Sequence, residues 1–69
     1  MKKLKYIGTD FWSRAVYEDE NGKLWKDVDL MPPGEALGLC DVSGNEFDGE
    51  PSAPMKREVF EKCEFIVEE

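Results

Sequence analysis

Carboxylates are the residues with most to offer chemistry here: 16 of the 69 residues are Asp or Glu, and no histidine accompanies them. Without an imidazole there is no Ser-His or Cys-His pair and no His-containing zinc site. Cys40 and Cys63 are too few for a four-thiolate centre and form no CxxC pair. No GxxxxGK[ST] segment occurs, and no GxGxxG follows a strand-like run, so no phosphate-cradling loop is expected. A catalytic pair of carboxylates needs a concave pocket to separate two pKa values, and so short a chain has little room for one. These residues point away from an enzyme, and no cofactor is expected. Binding is the role left.

The charges are segregated along the chain. Residues 1–17 carry a net +3, residues 18–50 a net −8 and residues 51–69 a net −2, giving −7 overall. That sign is wrong for gripping DNA or RNA phosphates directly. It suits the basic surface of another protein, such as the groove in which a nuclease holds nucleic acid. Two acidic groups stand out. Glu18, Asp19, Glu20, Asp27 and Asp29 flank one hairpin and would lie close together, while Asp41, Glu46, Asp48 and Glu50 would form a second patch on loops. A row of carboxylates on a twisted sheet can imitate a phosphate backbone. The plainer account is that acid keeps a small protein soluble.

Calcium is the other chemistry that the acidic loop suggests. An EF-hand loop counted from Asp41 would put Ser43 third, Glu46 where the sixth-position glycine belongs, and Ser52 where the twelfth-position Glu belongs. The pattern fails where coordination is strictest, and a solvated Asn/Asp/Gly turn explains the loop better. Cys40 and Cys63 read as small buried apolar residues. Trp12 and Trp25 read as packing residues of a core or hairpin rather than a stacking platform for single-stranded nucleic acid, which the net charge opposes.

The elements that must position these groups are short. Residues 3–7 alternate polar and apolar as a half-exposed strand does, and residues 8–10 read as a turn. Residues 11–18 form a second strand. Asn21-Gly22 marks a tight hairpin, since a type I′ turn needs positive φ at both central positions, and residues 24–28 return to pair with residues 14–18. Met31-Pro32-Pro33-Gly34 breaks regular structure. A further strand is expected over 37–42, with turns at 43–45 and 48–51. The last stretch reads two ways: Met55, Val59, Cys63 and Ile66 fit a helical stripe, and Cys63, Phe65 and Val67 equally fit a strand; a short helical turn near 54–61 followed by a strand over 63–67 is the favoured division. The expected fold is α+β and sheet-dominated: one domain over residues 1–69, a small antiparallel sheet of four or five strands with a central Asn-Gly hairpin and one short helix. No apolar run is long enough to span a bilayer and no secretory leader is evident, so the expected location is the cytoplasm, with no membrane partner.

Taken together, the string from Tyr6-Ile7-Gly8 through Asp10, Trp12, Arg14, Val16-Tyr17 and Asp19-Glu20-Asn21-Gly22 to Leu24 and Asp27-Val28, followed by Leu39-Cys40, Ser43-Gly44-Asn45 and Phe47-Asp48-Gly49-Glu50-Pro51, resembles small uncharacterised proteins of gut bacteria and their mobile elements. It is similar to the large polyvalent protein-associated domain type. The resemblance covers residues 4–51 and implies a context, a phage or conjugative element, without assigning a role to any residue. The expectation is an acidic binding protein that meets a basic protein surface. The alternative is a structural module that docks through apolar surface near Phe11 and Trp12.

Overall fold

The computed structural model describes residues 2–68. Five strands run as an antiparallel meander: β1 (Lys2–Thr9), β2 (Ala15–Glu18), β3 (Leu24–Lys26), β4 (Cys40–Val42) and β5 (Pro51–Pro54). A four-residue helix, α1 (Arg57–Phe60), then carries the chain to the opposite edge, where β6 (Cys63–Ile66) lies parallel to β1. The order across the sheet is β5-β4-β3-β2-β1-β6. The sheet is thus six-stranded and mixed, where an antiparallel sheet of four or five strands was expected. The helix causes the difference, because a crossover between non-adjacent strands lets the last strand enter in parallel.

The sheet also curls. Met55, which follows β5, brings its sulfur to 3.7 Å from the Cys63 thiol at the start of β6, although these strands stand at opposite ends of the strand order. Inside the curl Leu4, Ala15, Tyr17, Trp25 and Leu39 form the core, closed by Tyr6, Ala36, Met55, Phe60, Cys63 and Phe65. Tyr17 stacks edge-on against both Tyr6 and Phe65. The opposite face holds a second cluster, Val16, Leu24 and Val42. Ala15, Val16 and Tyr17 are therefore all buried, because β2 is covered on both faces.

Several element boundaries differ from expectation, each for a local reason. The second strand begins at Ala15 rather than residue 11, because the Asp10 carboxylate folds residues 10–14 into a loop. The strand expected over 37–42 is reduced to Cys40–Val42; Arg57 donates to the Leu37 carbonyl and holds that stretch off the ladder. Residues 51–54, expected to follow a turn directly into helix, form an edge strand, the one place in a sheet where Pro51 and Pro54 are tolerated. The hairpin pairs as expected, with Val16, Tyr17 and Glu18 opposite Lys26, Trp25 and Leu24. Its turn is different. Gly22 has φ 79° while Asn21 stays at negative φ, and the Asp19 N–H donates to the Lys23 carbonyl. This is a three-residue loop with glycine in the left-handed position, not a type I′ turn.

Candidate functional site

Three of the acidic residues belong to the framework. Asp19 Oδ1 accepts from the Asn21 and Lys23 backbone N–H groups, and Oδ2 accepts from Trp25 Nε1 and Lys2 Nζ, each at 2.9–3.2 Å. Burial alone would raise this carboxyl, but those four donors outweigh it and hold it below its ordinary value. Asp27 is wholly buried and accepts from the Asp29 and Met31 N–H groups. Asp10 accepts from the Trp12 and Arg14 N–H groups on Oδ1, and from Arg14 Nε and Lys26 Nζ on Oδ2. Asp19 and Asp27 therefore cannot be the partner-binding carboxylates that sequence reasoning made them. A carboxylate that closes a turn turns inward, toward the N–H groups that its own loop exposes.

The rest of the hairpin patch lies beside basic residues, although Glu18 and Glu20 are exposed and form no ion pair among the described residues. β1 carries Lys2, Lys3 and Lys5 and lies beside β2, so the basic start of the chain folds against the acidic turn. Lys2 pairs with Asp19, the Lys3 N–H donates to Glu20, and Lys3, Lys5, Glu18, Asp19, Glu20 and Ile66 line one shallow, open groove of about 210 Å³. Asp29 is exposed but stands at the other end of β3. Asp41 lies 3.8 Å from Lys23 and accepts from the Ala53 N–H.

The second patch fares better. Glu46, Asp48 and Glu50 are exposed and have no ion pair among the described residues. They sit on the loop between β4 and β5, which crosses the outer face of the sheet, and that loop is fixed at four points. Asn45 accepts from the Leu24 N–H and donates to the Gly22 carbonyl, the Ser43 N–H donates to the Glu50 carbonyl, and Lys26 Nζ donates to the Gly49 carbonyl at 2.7 Å. Phe47 rests on Gly8, where a Cβ would stand 3.1 Å from its ring. Gly49 has no room for a side chain: a Cβ would lie 2.6 Å from the Ser43 carbonyl oxygen. Gly49→Ala should displace the loop and cost about 1–3 kcal/mol in urea unfolding; an unchanged midpoint would show that the loop is not held as described.

Lys26 links this loop to a second feature. Its buried ammonium, 2.6 Å from Asp10 Oδ2, joins the acidic loop to the β1–β2 loop, which carries Phe11 and Trp12. These rings are 68% and 62% exposed. Trp25 packs in the core as expected; Trp12 does not, because the Asp10 loop turns it outward. Arg14 lies under this tip, its guanidinium 5.9 Å from the Trp12 ring and its Nη2 buried without a protein acceptor. A ring left in water forgoes about 1.5–3 kcal/mol of burial, which a chain this small can ill spare.

Cys40 and Cys63 are half-buried free thiols. Burial raises both, helped at Cys40 by Asp41 and Asp29, which keeps them protonated and unreactive near neutral pH. Among the described residues no three metal-ligating side chains converge, and no helix is long and apolar enough to cross a membrane. Neither a family model, nor a curated protein, nor a solved structure matches this chain.

Proposed function

We propose that this is a non-enzymatic binding protein that occupies a basic surface on another protein. One observation carries the reading: Glu46, Asp48 and Glu50, three exposed carboxylates within five residues, form no ion pair among the described residues and ride on a loop fixed at four points. A loop already held in place loses little entropy on docking, and a cluster of one sign steers a cationic partner toward it. In its sharpest form the partner is a nuclease of a host defence system, CRISPR or restriction, and the protein is an inhibitor encoded by a phage or other mobile element. Its carboxylates would take the lysines and arginines that otherwise grip phosphate.

A second reading is favoured by the exposed Phe11 and Trp12: a structural accessory module that self-associates or docks on a larger protein through apolar surface. Ionic strength separates the two. Screening contracts from about 10 Å at 0.1 M salt to about 3 Å at 1 M, so charge-led binding is released and apolar docking persists. The test is capture from nuclease-treated host lysate at both salt concentrations. A nucleic-acid-binding protein retained only at low salt is the expected result. Recovery of the bait alone, or of a salt-insensitive partner, would overturn the acidic reading.

A further inference from the structure

The loops that follow Asp10, Asp19 and Asp27 share one construction. In each, the aspartate accepts from the N–H groups two and four residues on, and the residue three on has positive φ: Ser13 at 65°, Gly22 at 79° and Leu30 at 56°. Glycine is the unstrained choice there, and the hairpin loop uses it. Leu30 is the strained choice, and with 58% of its surface exposed it gains no core contact that would offset the strain. Val28 beside it is exposed too.

This loop leaves β3 where the Phe11–Trp12 loop enters β2, and the Asp27 N–H donates to the Ala15 carbonyl between them. One end of the sheet thus collects Phe11, Trp12, Val28 and Leu30, all exposed, on two loops whose backbones are fixed by buried aspartates. Asp29, exposed between Val28 and Leu30, has no ion pair among the described residues.

We propose that this end is an apolar docking face for a protein surface whose cleft is bordered by lysine or arginine. The inference rests on the reading of the chain as a binding protein and gives it an anchor separate from the acidic loop. Charge selects the occupant. A second copy would bring together two chains of net charge −7. A partner with cations around an apolar cleft answers both the rings and Asp29.

A random twelve-residue peptide library, displayed and selected on the intact protein with counter-selection on the Phe11→Ser/Trp12→Ser variant, tests this. The expected peptides combine an aromatic or aliphatic residue with lysine or arginine. Trp12→Ser and Leu30→Gly should each weaken them by about tenfold or more, while Leu30→Gly leaves the melting temperature unchanged or higher. Replacing Glu46, Asp48 and Glu50 with lysine should change peptide affinity only a few-fold. Three results overturn the proposal: no enrichment above the counter-selected variant; peptides lost in the lysine triple variant but kept by Trp12→Ser, which leaves the acidic-loop reading standing; or a concentration-dependent dimer that Leu30→Gly abolishes.

Discussion

Asp10→Asn should remove a large share of the stability of this domain. The Asp10 carboxylate is buried and takes four hydrogen bonds, two from backbone N–H groups and two from the cations Arg14 and Lys26. Asparagine keeps one acceptor oxygen, loses the charge and leaves both cations uncompensated. Lys26 suffers most, since its side chain is wholly buried and, among the described residues, its only other partner is the Gly49 carbonyl. Removing one member of such a group costs about 3–5 kcal/mol, against a total of about 5–15 kcal/mol for a folded domain. Lys26→Met should cost a comparable amount, because it strips a donor from Asp10 and frees the loop at Gly49. The double variant should lose clearly less than the two single losses added, as fits residues that share one interaction. Additive losses in urea unfolding would show that no coupled network exists.

The same carboxylate sets a pH dependence. Burial alone would raise it, but the hydrogen bonds from Lys26, Arg14 and Trp12 prevail and bring it from 3.8 down to about 2. A group held lower in the folded state stabilises the fold above its unfolded value and loses that contribution as pH falls through the folded one. Asp10 thus supplies about 2 kcal/mol above pH 4 that disappears on the way to about pH 2. Asp19, also lowered, adds in the same direction. Acid titration of the melting temperature should show this fall, and Asp10→Asn should flatten it.

Charge reversal should divide the acidic residues into two kinds. Replacing Glu46, Asp48 and Glu50 with lysine shifts the net charge from −7 to −1, since each reversal adds two. All three are exposed and form no ion pair among the described residues, so the fold should survive with a native circular dichroism spectrum. Capture of a basic partner should fall, with the association rate dropping about 10- to 1,000-fold as steering is lost. Asp27→Lys should instead unfold the chain. It buries a cation where a carboxylate now receives two backbone N–H groups, and both donors lose their acceptor. Asp19→Lys should act likewise and would also place Lys2 beside a like charge. A folded lysine triple variant that keeps its partner with unchanged salt dependence would sink the acidic reading.

The hairpin was legible because its signal is local: Asn-Gly between two β-rich runs marks a tight return without reference to the rest of the chain, while the three-residue loop that sets Tyr17 opposite Trp25 appeared only in the structure. β6 was only half legible: Cys63, Phe65 and Val67 alternate as in a strand, but Met55, Val59, Cys63 and Ile66 fit a helical stripe equally well, and the pairing with β1 decides for the strand. β5 was not, because two prolines in four residues look like a break until the strand is known to lie at an edge. The acidic patches were located by sequence distance, and that misjudged the hairpin. The lysine that pairs with Asp19, Lys2, and the residues beside Glu18 and Glu20 come from β1, more than a dozen residues away.

Sequence alone determined what this chain lacks and how it is charged. It has no imidazole, no CxxC pair and no phosphate loop, and its net charge is −7. Only the tertiary structure decided which carboxylates are free. Asp10, Asp19 and Asp27 differ from Glu46, Asp48 and Glu50 in no local feature of charge. They differ in whether backbone N–H groups and buried cations converge on them, and that convergence exists only once the strands are side by side.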